Sequence, residues 1–364
     1  GNAIMVTVVI SVFSYKATPP AEPLHPTNTG LSDTDSIATD SISTVSSGSD
    51  SAGPQDLPAG KSTNLADSAE NVETSNTVVA AHRKSAISTV AEGENVVMTA
   101  DRNGEIRSDN SLEMAFVWCQ PNEYEMGSPV DEPRRRANEG PVPVKLTYGY
   151  WLGQYEVTQQ QWETLMETQP SAFSVEGRGA EHVRDMDTSQ LPVESVSWDD
   201  AMLFCQRLTE IEREAGRLPR GWKYTLPTEP QWENACRAGA SDATAFGNKL
   251  GSHQANFNGY EPYSGAEYGP SIGRTVRVGR YPPNAWGFYD IQGNVWEHCH
   301  NYYSDPPIGG TDPTGPETGT LRVSRGGSWW GGGWNSRCSF RYWFDPDKRD
   351  WGVGFRVALS PPRD

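Results

Sequence analysis

Residues 16–115 contain no Phe, Trp or Tyr, whereas all thirteen tryptophans lie between Trp118 and Trp351. A stretch of that length without rings cannot bury enough apolar surface to offset the entropy of ordering it. The folded part is therefore expected at residues 112–361, long enough for one sizeable core. Residues 16–111, rich in Ser, Thr and Asp, read as a disordered tether. Basic residues are also short: 30 Lys and Arg stand against 47 Asp and Glu, a net charge of −17. That balance argues against a nucleic-acid surface, which a phosphate backbone would avoid. It fits solvated acidic faces, a few of which are free to serve a divalent cation.

Long apolar runs are lacking as well. The run AIMVTVVISVF, residues 3–13, falls short of the ~20 residues a membrane-spanning helix needs. Residues 1–15 read as the remnant of a transmembrane helix, as a signal-peptide hydrophobic region without its basic start, or as a stray apolar segment. The first two readings place the folded part outside the cytoplasm. The five cysteines, Cys119, Cys205, Cys236, Cys299 and Cys338, form no CxxC and show no zinc spacing. Their odd number leaves at least one unpaired within the chain, and the pairing stays open. No GxSxG nucleophile motif and no Gly-rich phosphate loop occurs, and none of the six histidines sits in a nucleophile context.

What is present is a set of helix starts among short strands. Thr158 with Gln161, Ser197 with Asp200 and Thr228 with Gln231 each form the spacing of a capping box. The second helix is expected to bury Leu203, Phe204, Leu208 and Ile211 and to stop at Gly216. The third is expected to end at Gly239. VKLTYGYWLGQYEV, RTVRVGRY, LRVSRGGSW and VGFRVAL alternate apolar and polar residues over a few positions, as short strands do. Few helices, short strands and much loop give an α+β fold class. Residues 324–357 carry five of the thirteen tryptophans among many glycines. Rings of this kind give large contact area at low entropy cost and dominate recognition surfaces. Their other reading is core packing.

Six segments resemble, in order, the formylglycine-generating enzyme (sulfatase-modifying factor) family. They are FVWCQPNEYEMGSPVDEPRR, GYWLGQYEVTQQQWETLM, LPVESVSWDDAMLFCQRLTE, YTLPTEPQWENACRAG, GRYPPNAWGFYDIQGNVWEH and RVSRGGSW followed by GFRV. The match runs from Glu113 to Leu359. The resemblance implies a C-type-lectin-like fold with sparse secondary structure, bound calcium and a groove for a peptide. It implies calcium ligands at Asp290, Glu297 and the carbonyls of Gly293 and Val295. A second site would use the Asn256 side chain and the Phe257 carbonyl, but its acidic position falls near Pro270, which has no carboxylate. Glu156 matches a further metal-linked position. A disulfide between Cys236 and Cys338 is implied in the same way, and Trp296 and Ser328 match residues lining the oxidase pocket.

The oxidases of this family bind copper(I) through two cysteines just after the GGS motif. Here that stretch reads WWGGGWNSR, residues 329–337, without a cysteine. Soft thiolates select Cu(I), and neither glycine nor a serine hydroxyl replaces them, so copper is not expected. The expected function is a calcium-stabilised extracytoplasmic binding protein recognising a peptide, protein or glycan through Trp329, Trp330, Trp334 and Trp343, with Trp296 and Ser328 in the pocket. Four alternatives stand beside it: a formylglycine-generating oxidase, a related enzyme on the same fold, a retroelement-diversified ligand-binding protein, and the external sensor of a signalling domain upstream. Arg341 and Arg356 are expected to be structural, pairing with carboxylates such as Asp345.

Overall fold

The computed structural model describes residues 98–362. The apolar segment 1–15 and the expected tether up to residue 97 lie outside the described residues. The fold starts earlier than residue 112. Met98 is already buried, its carbonyl accepts a hydrogen bond from Trp151 Nε1, and a strand precedes the expected start.

In chain order the elements are β1 (Ile106–Arg107), β2 (Phe116–Cys119), β3 (Asn122–Met126), β4 (Val142–Leu146), β5 (Tyr150–Gly153), α1 (Gln159–Met166) and α2 (Trp198–Glu214). After these come β6 (Lys223–Thr225), α3 (Glu229–Arg237), β7 (Trp296–Tyr302), β8 (Gly310–Thr311), β9 (Arg322–Arg325), β10 (Tyr342–Phe344), β11 (Val353–Gly354) and β12 (Ala358–Ser360). They form three sheets: a five-stranded one in the order β1-β2-β5-β12-β6, a four-stranded one in the order β10-β9-β7-β11, and a three-stranded one in the order β3-β4-β8. The last strand, β12, pairs antiparallel with both β5 and β6, so the C-terminus closes the sheet that the N-terminal strands begin. β2 and β5 are buried at every position, which is why they read as FVWC and YWLG rather than as alternating patterns.

All three helices start where the capping boxes place them. Thr158, Ser197 and Thr228 each accept through the side chain from the backbone N–H three residues on, and their own N–H donates to that residue's side chain. α2 buries Ala201, Phe204, Cys205 and Leu208. Leu203, expected on that face, is 41% exposed, because it lies a third of a turn away from the buried stripe. RTVRVGRY forms no strand. Its backbone is held instead by bonds from Val276 N to Asn294 Oδ1 and from Val278 N to the Gln190 carbonyl, which satisfy its polar groups without a neighbouring strand.

Buried ion pairs are added to the hydrophobic core clusters. α3 is buried along its whole length, with Glu229, Glu233 and Arg237 included. Arg325 reaches Glu229 at 2.9 Å and Glu233 at 2.5 Å, and Arg341 reaches Glu229 at 2.6 Å. Arg337 engages Glu132 and Glu139, and Arg356 engages Glu297. Arg341 and Arg356 are therefore structural as expected, but their partners are Glu229 and Glu297; Asp345 is exposed. These bonds tie the irregular C-terminal loops to α3 and to β7.

Candidate functional site

β9 ends at Arg325, and Gly326 and Gly327 turn the chain with φ of 96° and 77°. A Cβ on Gly327 would lie 2.4 Å from Ser336 Oγ, so only glycine fits this turn. Ser328 follows, fully buried, its Oγ without a hydrogen-bond partner. Trp329 is half-buried and Trp330 is 50% exposed. A Cβ on Gly352 would meet Trp330 Nε1 at 2.5 Å and Ser328 Oγ at 3.3 Å. The Trp330 ring thus lies against the bare backbone of Gly352, next to Ser328.

The tryptophans expected on one surface separate into two groups. Trp329 packs edge-on against Phe173, with centroids 5.3 Å apart, and against Trp351 at 5.9 Å; its Nε1 donates to the Trp351 carbonyl at 3.0 Å. Phe173 and Trp351 stack nearly parallel, and the Arg178 guanidinium lies 4.8 Å from the Trp351 ring centroid. With Trp330 on the same loop, these residues form an aromatic shelf. Trp334 packs elsewhere, against Phe340 and the cluster of Phe257 and Tyr263, under Arg136. Trp343 stacks on Tyr303 and Tyr342, and Tyr342 stacks on the buried Trp296. Trp334, Trp343 and Trp296 therefore do not join the shelf, and Trp296 is core.

Phe173 and Arg178, which belong to the shelf, escaped the sequence reading because their loop has no periodic pattern. The loop is anchored from below. Glu194 accepts from Phe173 N at 2.8 Å and from Ser195 Oγ at 2.7 Å. Burial pushes its carboxyl up to about 7 against these stabilising bonds.

Two of the five cysteines come together in the core. Cys236 and Cys338 meet with their sulfurs 3.2 Å apart, both fully buried. Their sulfurs are neighbours, as the expected pairing requires, and no S–S bond joins them in this structure. Burial, and then the neighbouring Cys338, push the Cys236 thiol well above its ordinary value. The thiolate that copper(I) requires is disfavoured in such surroundings. Residue Gly331 and its neighbours bring no sulfur; Asn335 Nδ2 would lie 2.9 Å from a Cβ there.

The expected calcium residues are brought together in part. Glu156, Asp290 and Glu297 lie close enough to feel one another's charge and that of Arg356. Arg356 binds both oxygens of Glu297 at 2.6 Å, and Trp232 Nε1 binds one of them. Oε1 accepts from Arg356 alone, so that oxygen keeps acceptor capacity beside the ion pair. Glu156 accepts from Asn294 Nδ2 and Val295 N, so its oxygens already serve side-chain and backbone donors. Burial first, then the charges of Asp290 and Glu297, raise it well above the carboxylate range. Asp290 accepts from Gly279 N through Oδ2, while Oδ1 is buried without a partner, and burial pushes its carboxyl up to about 7. Asn256 Oδ1 is likewise buried and unpartnered, and Asn256 bridges to Gly293. Hard oxygens of this kind suit calcium. The fit rests on Asp290 with the carbonyls of Gly293 and Val295, and separately on Asn256 with the Phe257 carbonyl. Among the described residues no group of three or more His, Cys, Asp or Glu is arranged to hold a metal ion, so carboxylates alone make no site.

The profile of the sulfatase-modifying factor enzyme 1-like domain matches residues 103–361. The chain belongs to this sulfatase-modifying factor family. Its formylglycine-generating relatives include a Thermomonospora curvata enzyme, 34% identical over 199 residues, covering 48% of this chain and 57% of that protein. A mouse protein named inactive C-alpha-formylglycine-generating enzyme 2 is 31% identical over 183 residues, covering 48% of this chain and 51% of its own length. The chain thus spans little more than half the length of the curated relatives it matches. Among solved structures, Treponema denticola variable protein 1 aligns at 25% identity with a TM-score of 0.56, covering 71% of this chain and 99% of that one. The α+β fold with sparse secondary structure is the sulfatase-modifying factor fold.

Proposed function

We propose that this sulfatase-modifying factor domain binds a partner through the shelf of Trp329, Trp330, Trp351 and Phe173, and that it does not oxidise a substrate cysteine. One observation carries the reading: the loop after Ser328 holds no sulfur, while the two thiols that meet, Cys236 and Cys338, are sealed in the core. The name of the inactive mouse relative is consistent with loss of activity within the family. The partner is a peptide, protein or glycan. Calcium at the Asp290 loop, and at Asn256, would satisfy buried oxygens and stiffen loops that have little secondary structure. An extracytoplasmic location, tethered through the N-terminal segment, suits such a binder; among the described residues no helix is long and apolar enough to cross a membrane.

The reading is tested by titrating the purified chain with copper(I) against a competing chelator and assaying it on a cysteine-bearing sulfatase peptide. No stoichiometric copper(I) binding and no formylglycine are expected. Tight copper binding together with turnover would overturn it. A second reading follows from the likeness to Treponema denticola variable protein 1: a retroelement-diversified binder whose C-terminal loop varies. A reverse transcriptase and a template repeat beside the gene would mark that case.

A further inference from the structure

A cleft of about 540 Å³ opens beside the shelf, lined among others by Ser171, Glu176, Arg178, Ser195 and Arg349. We infer that this cleft takes an acidic side chain of a bound peptide, with Arg178 and Arg349 beside Trp351 as the carboxylate clamp. The inference rests on the binding reading above and narrows its ligand.

Arg178 is exposed, held over the Trp351 ring, and makes no ion pair among the described residues. Stacking fixes the plane of a guanidinium and leaves its N–H fork free, the arrangement that recognises a carboxylate through two parallel bonds. Arg349 uses one amino group to hold Asp200, at 2.7 Å, which leaves its Nε and other amino group available. Asp200 is bound to Arg349, and Glu194 lies beneath with its oxygens accepting from Phe173 N and Ser195 Oγ. Glu176 lines the rim, Asp350 follows Arg349 and accepts from Ser195 N through its carbonyl, and Glu194 feels the charge of Arg178.

The surroundings favour a peptide over a sugar. Phe173 stacks parallel to the Trp351 ring and Arg178 lies over it. The face of that ring is engaged, and its edge carries the positive end of the ring quadrupole, which attracts carboxylate oxygen. Trp330, 50% exposed, offers an apolar neighbour for the next side chain. A cleft of this volume is within the range that ligand sites occupy.

The test uses the full chain and isothermal titration with the capped peptide Ac-Gly-Leu-Asp-Leu-Gly-amide, its Leu-Asn-Leu counterpart, and glucuronic acid. The Asp peptide is expected to bind about tenfold more tightly than the Asn peptide, with affinity falling as salt rises. Arg178→Ala is expected to abolish that preference, and Arg178→Lys to keep part of it, with thermal midpoints unchanged because Arg178 lies on the surface. Equal binding of the two peptides overturns the inference, as does no binding of the Asp peptide, a preference that survives Arg178→Ala, or glucuronic acid binding as well as the Asp peptide. If both peptides bind equally and Trp330→Ala abolishes both, the shelf reading stands and only the carboxylate clamp falls.

Discussion

Arg356 and Glu297 show how one residue pair carries the fold. Two oxygens, two guanidinium bonds and the Trp232 indole close a buried network. Removing one partner leaves a buried charge uncompensated, so Arg356→Ala is expected to cost about 3–5 kcal/mol, read as a lower urea midpoint with an unchanged slope. Trp330 is the opposite case. It is half exposed and packs on a glycine backbone, so Trp330→Ala is expected to change stability by no more than about 0.5 kcal/mol. Partner binding should fall by about 2 kcal/mol or more, as at a central interface ring. A variant that lost stability instead of binding would place Trp330 in the core and dissolve the shelf.

At the scale of elements, the three capping boxes were fully legible, because a hydroxyl and an amide or carboxylate three residues apart act locally. Thr228→Ala is expected to destabilise by about 1 kcal/mol, measured by thermal or urea unfolding; no loss at all would mean tertiary packing alone holds the start of α3. The strands were legible where pairing is antiparallel and short, as in β9 and β12. RTVRVGRY misled because alternation reports a half-buried backbone, and there a loop is half-buried by side-chain bonds from Asn294 rather than by a neighbouring strand. Leu203 misled because apolar spacing on α2 covers more of the helix than its buried stripe. The site was legible at Ser328, Trp329 and Trp330, which are close in sequence to GGS. Phe173, Arg178 and Glu194 reach it from a loop far upstream, and no spacing within one segment reports such a meeting.

At the scale of the whole molecule, stability and the shelf are coupled through protonation of Glu194. Its folded-state value of about 7 lies above the ordinary 4.5, raised by burial. A raised value means the folded state binds the proton more tightly than the unfolded one. The associated stability is therefore complete below about pH 4.5 and is lost as pH rises through about 7. A shift of this size corresponds to about 3 kcal/mol. His298 acts in the other direction: burial lowers it from 6.5 to about 4, so its contribution is present above pH 6.5 and is lost as pH falls through about 4. Asp290, which burial also raises to about 7, adds to the Glu194 slope while His298 opposes it, and only the difference between variants separates them. Glu194→Gln retains hydrogen bonding to Phe173 N but cannot ionise. Its urea-unfolding free energy relative to wild type should therefore rise with pH between about 4.5 and 7 and level off above. Because Glu194 holds Phe173, and Phe173 stacks on Trp351, wild-type tryptophan emission should change over the same interval and the variant's should not. Parallel pH curves for the two proteins would show that Glu194 titrates normally and that the loop beneath the shelf is held by other bonds.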